Sequence, residues 1–256
     1  MSKEKYVVKS RGELWDIIKD ADINADLNYL DVSNIDDMNN LFYCSKFNGD
    51  ISEWDVSKVT DMRSMFSYSK FNGDVSKWDV SNVIDMRHIF YDSKFNKDIN
   101  NWDVSKVENM SFMFKGSKFN RDISKWDVSS VKDMRFMFFY SKFNKDISNW
   151  NLRSAKDCEG MFAHSKFNRD LSKWDVSSVE DMSDMFKYSK FNGYISSWDV
   201  SSVKDTSYMF HESEFDKNIS EWNLKSLERC NGMFGGSPLE HKMKIKTEIK
   251  LIFSEE

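Results

Sequence analysis

The sequence predicts an α/β repeat. It reads as a solenoid of about nine 24-residue turns, with a parallel β-sheet on one face, short helices on the other and a cap at each end. Three observations lead there. Tryptophan recurs every 24 residues, at Trp54, Trp78, Trp102, Trp126, Trp150, Trp174, Trp198 and Trp222. Phenylalanine keeps the same period from Phe47 to Phe215, and Leu239 takes the next place. No insertion or deletion breaks the count between about residue 23 and residue 240, as required if each turn lies directly on the last.

Residues 1–22 read as an N-terminal cap. Ser10 and Glu13 form an S-x-x-E capping box, and Leu14, Trp15, Ile17 and Ile18 follow, which predicts a helix from about residue 11 to 20 over the first turn. The repeat occupies residues 23–240. Ile51, Trp54 and Val56 give IxxWxV, the spacing of the LxxLxL strand of a leucine-rich repeat. Such strands stack about 4.8 Å apart, so the rod is about 40 Å long. Val59, Met62 and Phe66 follow at helical spacing, with Ser57 where an N-cap belongs. Ser45 and its equivalents supply a corner hydroxyl, and Asn48 and its equivalents can bond turn to turn. Pro238 ends the last repeat. Residues 241–256 form a C-terminal cap or tail, in which Met243 to Phe253 fit either strand or helix, with helix preferred.

The phrase FNxDISxWDVSxVxDMxxMFxxS, spanning about residues 23–240, resembles the bacterial surface protein repeat of the BspA-like leucine-rich repeat family. The resemblance implies a leucine-rich-repeat-like solenoid with a binding or adhesion role. It implies no catalytic residues.

Composition narrows the function classes. A net charge of −5 argues against generic nucleic-acid binding, and no apolar run reaches membrane-spanning length. The opening MSKEKYVVKSRGELWD lacks an apolar signal region, so a cytoplasmic location is expected, or the cell surface or outside if a leader is removed. Cys158 and Cys230 replace Met in a core column three turns apart, about 14 Å, too far to bridge. Cys44 belongs to another column.

No HExxH, CxxC, GxSxG or phosphate-loop motif occurs, and the four histidines share no ligand spacing. No catalytic, cofactor or metal site is therefore expected. The stacked aspartates, such as Asp55, Asp79 and Asp103, allow a reading with calcium between them. Corner hydrogen bonds and salt bridges to the column of Lys46, Lys70 and Lys94 are the favoured reading.

Function should lie where copies differ. One column reads Asn40, Ser64, His88, Phe112, Phe136, Gly160, Asp184, Tyr208, Gly232. Phe112 and Phe136 fall on adjacent turns, with Phe139, Tyr140, Arg87 and Arg135 nearby. Aromatic and arginine residues clustered on a surface mark a protein-binding patch. A half-buried ladder that only adds stability is the equal alternative. A second candidate is the acidic strand face, with Asp103 and Asp127. Arg153 and Lys225 interrupt it in the matching segments WNLRSAKDCEGMF (150–162) and WNLKSLERCNGMF (222–234), which point to a duplicated three-turn block. The expected function is a non-enzymatic scaffold, monomeric, binding another protein. The alternative is an exported adhesin-like protein for host or cell contact.

Overall fold

The computed structural model describes residues 5–243. It opens with a two-residue strand β1 (Tyr6–Val7), helix α1 (Arg11–Asp20) and strand β2 (Leu30–Asp31), and closes with helix α2 (Pro238–Met243). Helix α1 occupies the span its capping box predicts. The Ser10 hydroxyl accepts the Glu13 N–H, and the Glu13 carboxylate accepts the Lys9 N–H at 2.7 Å and the Tyr6 hydroxyl at 2.5 Å. Leu14 and Ile18 are buried toward the first repeat, and β1 pairs in parallel with β2 beside them. Pro238 begins a helix rather than stopping one; at the first helical position its missing N–H costs nothing. Most of the Met243 to Phe253 segment lies outside the described residues.

Between these ends the chain stacks nine copies of one turn. Isolated parallel bridges step from Asp37 through Asp61 and Asp85 to Arg229, one per copy. The apolar columns all face inward. Trp54, Val56, Val59, Met62, Met65, Phe66 and Phe71 are at most 3 % exposed, and their equivalents are buried likewise until the last copy, where Leu224, Leu227 and Phe234 are only partly covered. Three aromatic ladders run the length of the core. Phe66, Phe90, Phe114 and Phe138 stack at 5.7 Å, Phe71, Phe95 and Phe119 at 6.3–6.4 Å, and Trp126, Trp150 and Trp174 at 6.4 Å. The tryptophans also fix register. Each indole N–H donates to a main-chain carbonyl of the preceding turn, as Trp54 does to Leu27 at 3.0 Å and Trp126 to Ile99 at 2.9 Å.

Two expected elements are absent among the described residues. No continuous parallel sheet forms on IxxWxV, because that stretch is a chain of tight turns. The Trp54 N–H bonds the Ile51 carbonyl, and the Val59 N–H bonds the Val56 carbonyl. Too few extended residues remain between them to build a ladder. No helix forms on the Val59–Phe66 stretch either. There the N–H groups of Met62, Ser64, Phe66 and Tyr68 donate to carbonyls of the next turn, while those of Met65, Ser67 and Ser69 close turns within their own copy. The backbone bonds that a helix would keep to itself instead join the copies.

The polar columns build the corners. Asp50, Asp55 and Asp61 each accept the N–H two residues on, and Ser45 accepts the Phe47 N–H at 3.0 Å. Ser57 therefore belongs to an Asp-led turn and caps no helix. The Asn48 side chain accepts the Asn72 N–H at 2.7 Å, and the same bond recurs up to Asn192. Among the described residues the lysine column does not pair with these aspartates; Lys190 pairs with Glu214 at 3.1 Å. The aspartates are already engaged by backbone N–H groups, and ion pairs run between other columns, such as Lys132 to Glu108 at 2.8 Å.

Candidate interaction surface

Each copy contains two residues with left-handed backbone. One falls in the column of Ser64, His88, Phe112 and Phe136, with φ between 54° and 59°; the other in that of Tyr68, Tyr140 and Tyr188, with φ between 52° and 57°. Both sit third in turns closed by an i to i+3 hydrogen bond, the place where type II turns require positive φ. Glycine fills the columns only at Gly116, Gly160, Gly232 and Gly236. Elsewhere non-glycine side chains, from Asn40 and Ser64 to Phe112 and Tyr140, accept a conformation that ordinarily costs about 1–2 kcal/mol.

These columns carry a continuous aromatic stripe on the outside of the stack. The His88 ring lies parallel to Phe112 at 4.7 Å, and Phe112 stacks on Phe136 at 5.0 Å. Phe139 meets Phe136 edge-on at 5.4 Å and Tyr140 at 4.7 Å. Tyr140 stacks on His164 at 4.2 Å, and His164 on Tyr188 at 4.6 Å. Below, Tyr43, Tyr68 and Tyr91 continue the stripe edge to face. Gly160 makes room for it, since a Cβ there would fall 2.3 Å from the Phe136 ring. Phe112, Phe136 and Phe139 are half-buried, whereas Tyr68, Tyr140 and Tyr188 are 45–58 % exposed.

The structure thus brings His88, Phe112, Phe136, Phe139 and Tyr140 together. Arg87 and Arg135 flank them but are held down. Arg87 pairs with Asp85 at 2.9 Å, and Arg135 pairs with Asp133 at 2.9 Å and with Asp157 at 3.8 Å. Burial, then the nearby charges of Arg87 and Lys115, lowers the His88 pKa. Burial and Lys187 do the same to His164. Both imidazoles are therefore favoured neutral, as stacked rings.

The second candidate surface lies at a different corner. Asp103 and Asp127 are exposed and accept the N–H groups of Ser105 and Ser129 at 3.0 Å. The Ser129 hydroxyl and N–H, and then the Arg153 charge, hold the Asp127 carboxyl below its usual range. Lys225 lies three turns beyond Arg153, beside Asp199, whose pKa it helps to lower. These residues form an ordinary solvated edge with no concentration of apolar area.

Sequence reasoning found the first left-handed column through its variability and only Tyr140 of the second, missing Tyr68, His164 and Tyr188. It also missed Lys115, whose Nζ lies 4.8–5.8 Å from the ring centres of Phe139, Phe112, Tyr91 and Phe136. The signal was the glycines: Gly116 and Gly236 share a column, as Gly160 and Gly232 share the other, which marks positive φ.

Comparison with known proteins gives one family. The family described as Mycoplasma protein of unknown function, DUF285, matches four overlapping stretches, residues 13–118, 69–170, 93–190 and 139–246. Several overlapping matches of one family model along a chain are what a tandem repeat produces. No curated protein matches, and no solved structure matches. Among the described residues no helix is long and apolar enough to cross a membrane.

Proposed function

We propose, for a chain that belongs to this Mycoplasma family of unknown function, that it is a non-enzymatic scaffold whose aromatic stripe binds another protein. One observation carries the reading. Large aromatic side chains occupy backbone positions that favour glycine, on the outside of a molecule whose core is already closed by three inner aromatic ladders. Each such residue costs local strain, and ring stacking returns only about 0.5–1.5 kcal/mol per pair. Rigid aromatics placed outward at such a cost suit a binding surface. The resemblance to the BspA-like surface repeat supports the same class of role.

The test is capture by the intact chain from a lysate of the encoding organism, compared with a Phe112→Ser/Phe136→Ser variant. The variant is expected to lose a partner while its thermal unfolding midpoint moves by only a few degrees. An Asp103→Asn/Asp127→Asn variant is expected to keep the partner. If the phenylalanine variant unfolds outright, the stripe is a stabilising ladder and the reading fails. If the aspartate variant alone loses the partner, the acidic edge is the binding face.

A further inference from the structure

We infer that Lys115 is an anchor for a carboxylate supplied by the partner, so that the stripe selects a segment with an acidic residue set among apolar ones. The inference rests on the reading of the stripe as a binding face.

The Lys115 ammonium is surrounded by the four rings of Phe139, Phe112, Tyr91 and Phe136. The side chain is half-buried, and among the described residues it has no ion-pair partner. Ring faces stabilise the cation but do not neutralise it. The centre of the stripe is therefore a fixed, uncompensated positive charge.

The molecule contains the completed version of this arrangement. Lys187 stands three copies further on, in the same column. It too lies over a ring, that of Tyr208 at 4.7 Å, the equivalent of Phe136. There, however, a carboxylate is present: Asp184 pairs with Lys187 at 2.8 Å. Asp184 occupies the left-handed position that Phe112 occupies beside Lys115. The two sites differ in several neighbours, with Tyr91, Phe136 and Phe139 matched by Ala163, Tyr208 and His211, but the exchange that bears on charge is that of the Asp184 carboxylate for the half-buried Phe112 ring. At Lys187 the charge is satisfied from within the chain. At Lys115 the acid is replaced by contact area, and the counter-charge is left for a partner.

The probe is a phage-displayed random dodecapeptide library selected on the full chain. Selected peptides are expected to carry Asp or Glu flanked by aromatic or aliphatic residues. Exchanging that acid for its amide in a synthetic peptide should weaken binding about tenfold, read by fluorescence anisotropy. Lys115→Met should remove the difference between acid and amide peptides, and Lys115→Arg should restore it. Phe112→Asp, which places at this site the carboxylate Asp184 supplies at the other, should block the acidic peptide. Basic or uncharged consensus peptides, or equal binding of acid and amide forms, would overturn the anchor. In those cases, binding that is lost in Phe112→Ser but unaffected by charge leaves the stripe as the binding face. A library that yields no binder overturns both proposals.

Discussion

At the residue scale the tryptophans and the left-handed positions make opposite demands. Trp126 is buried and its indole N–H satisfies the Ile99 carbonyl. Trp126→Phe leaves that carbonyl with the Trp102 N–H as its remaining donor and removes buried ring area, so a loss of about 1–2 kcal/mol is expected in a urea titration. Ser64 sits at φ 54° with no hydrogen bond to its hydroxyl among the described residues, and Ser64→Gly relieves the strain. A gain of about 0.5–1 kcal/mol is expected in the same measurement. Gly160→Ala should do the reverse, because φ is 56° and the new methyl strikes the Phe136 ring. Glu159 gives a pH signature. Burial, then Asp157 and Asp181, pushes its carboxyl up to about 7. The folded chain therefore holds this proton more tightly than the unfolded chain does. The stabilisation is complete below the unfolded value of 4.5 and is lost as pH rises through about 7. Because the group is half-exposed, the effect is discounted to about 1 kcal/mol. Glu159→Gln should raise the unfolding midpoint at pH 8 and leave it nearly unchanged at pH 4.

At the scale of the element, the corner replaces the helix and the strand as the working unit. Asp103 shows what it needs: an acceptor for the Ser105 N–H, with charge secondary. Asp103→Asn should change stability little, whereas Asp103→Ala should cost about 1 kcal/mol, both read by thermal unfolding. This also marks what was legible in the sequence. Which columns face inward could be read directly, because burial depends on the 24-residue period alone. Residues such as Ile51, Trp54, Val59 and Met62 are all buried as expected. The elements could not be read. Positions three apart face one way on a helix, but they also do so at the two ends of a four-residue turn, and Met62 to Met65 is such a turn. The choice between the two lies in whether a backbone N–H bonds its own copy or the next, and that depends on the stacked neighbour. The candidate stripe was half legible for a related reason. His88, Phe112 and Phe136 stood out as variable, but Lys115 joins them only through backbone geometry that an aromatic residue in a glycine position conceals.

At the scale of the whole molecule, each turn touches only its neighbours, so stability is a sum over copies and their interfaces. Removing residues 119–142 joins Lys118 to Phe143 and restores the repeat phrase. Phe114 then meets Phe162, Trp102 meets Trp150, and Phe112 lies over Gly160, a neighbour already suited to a ring. The shortened chain should unfold cooperatively, with a denaturant slope smaller by about one-ninth. Removing 12 residues instead would set corner aspartates of the Asp50 column against the buried methionines of the Met62 column and should abolish folding. The same deletions separate architecture from recognition. Loss of residues 119–142 takes away Phe136, Phe139 and Tyr140, three rings of the stripe, two of which hold Lys115. Loss of residues 167–190 removes one copy as well, but leaves Phe112, Lys115, Phe136 and Phe139 in place. Equal stability with acidic-peptide binding lost only in the first is the expected result. Cooperative unfolding that fails in both would mean that a 24-residue turn is not the interchangeable unit, whatever the stripe binds.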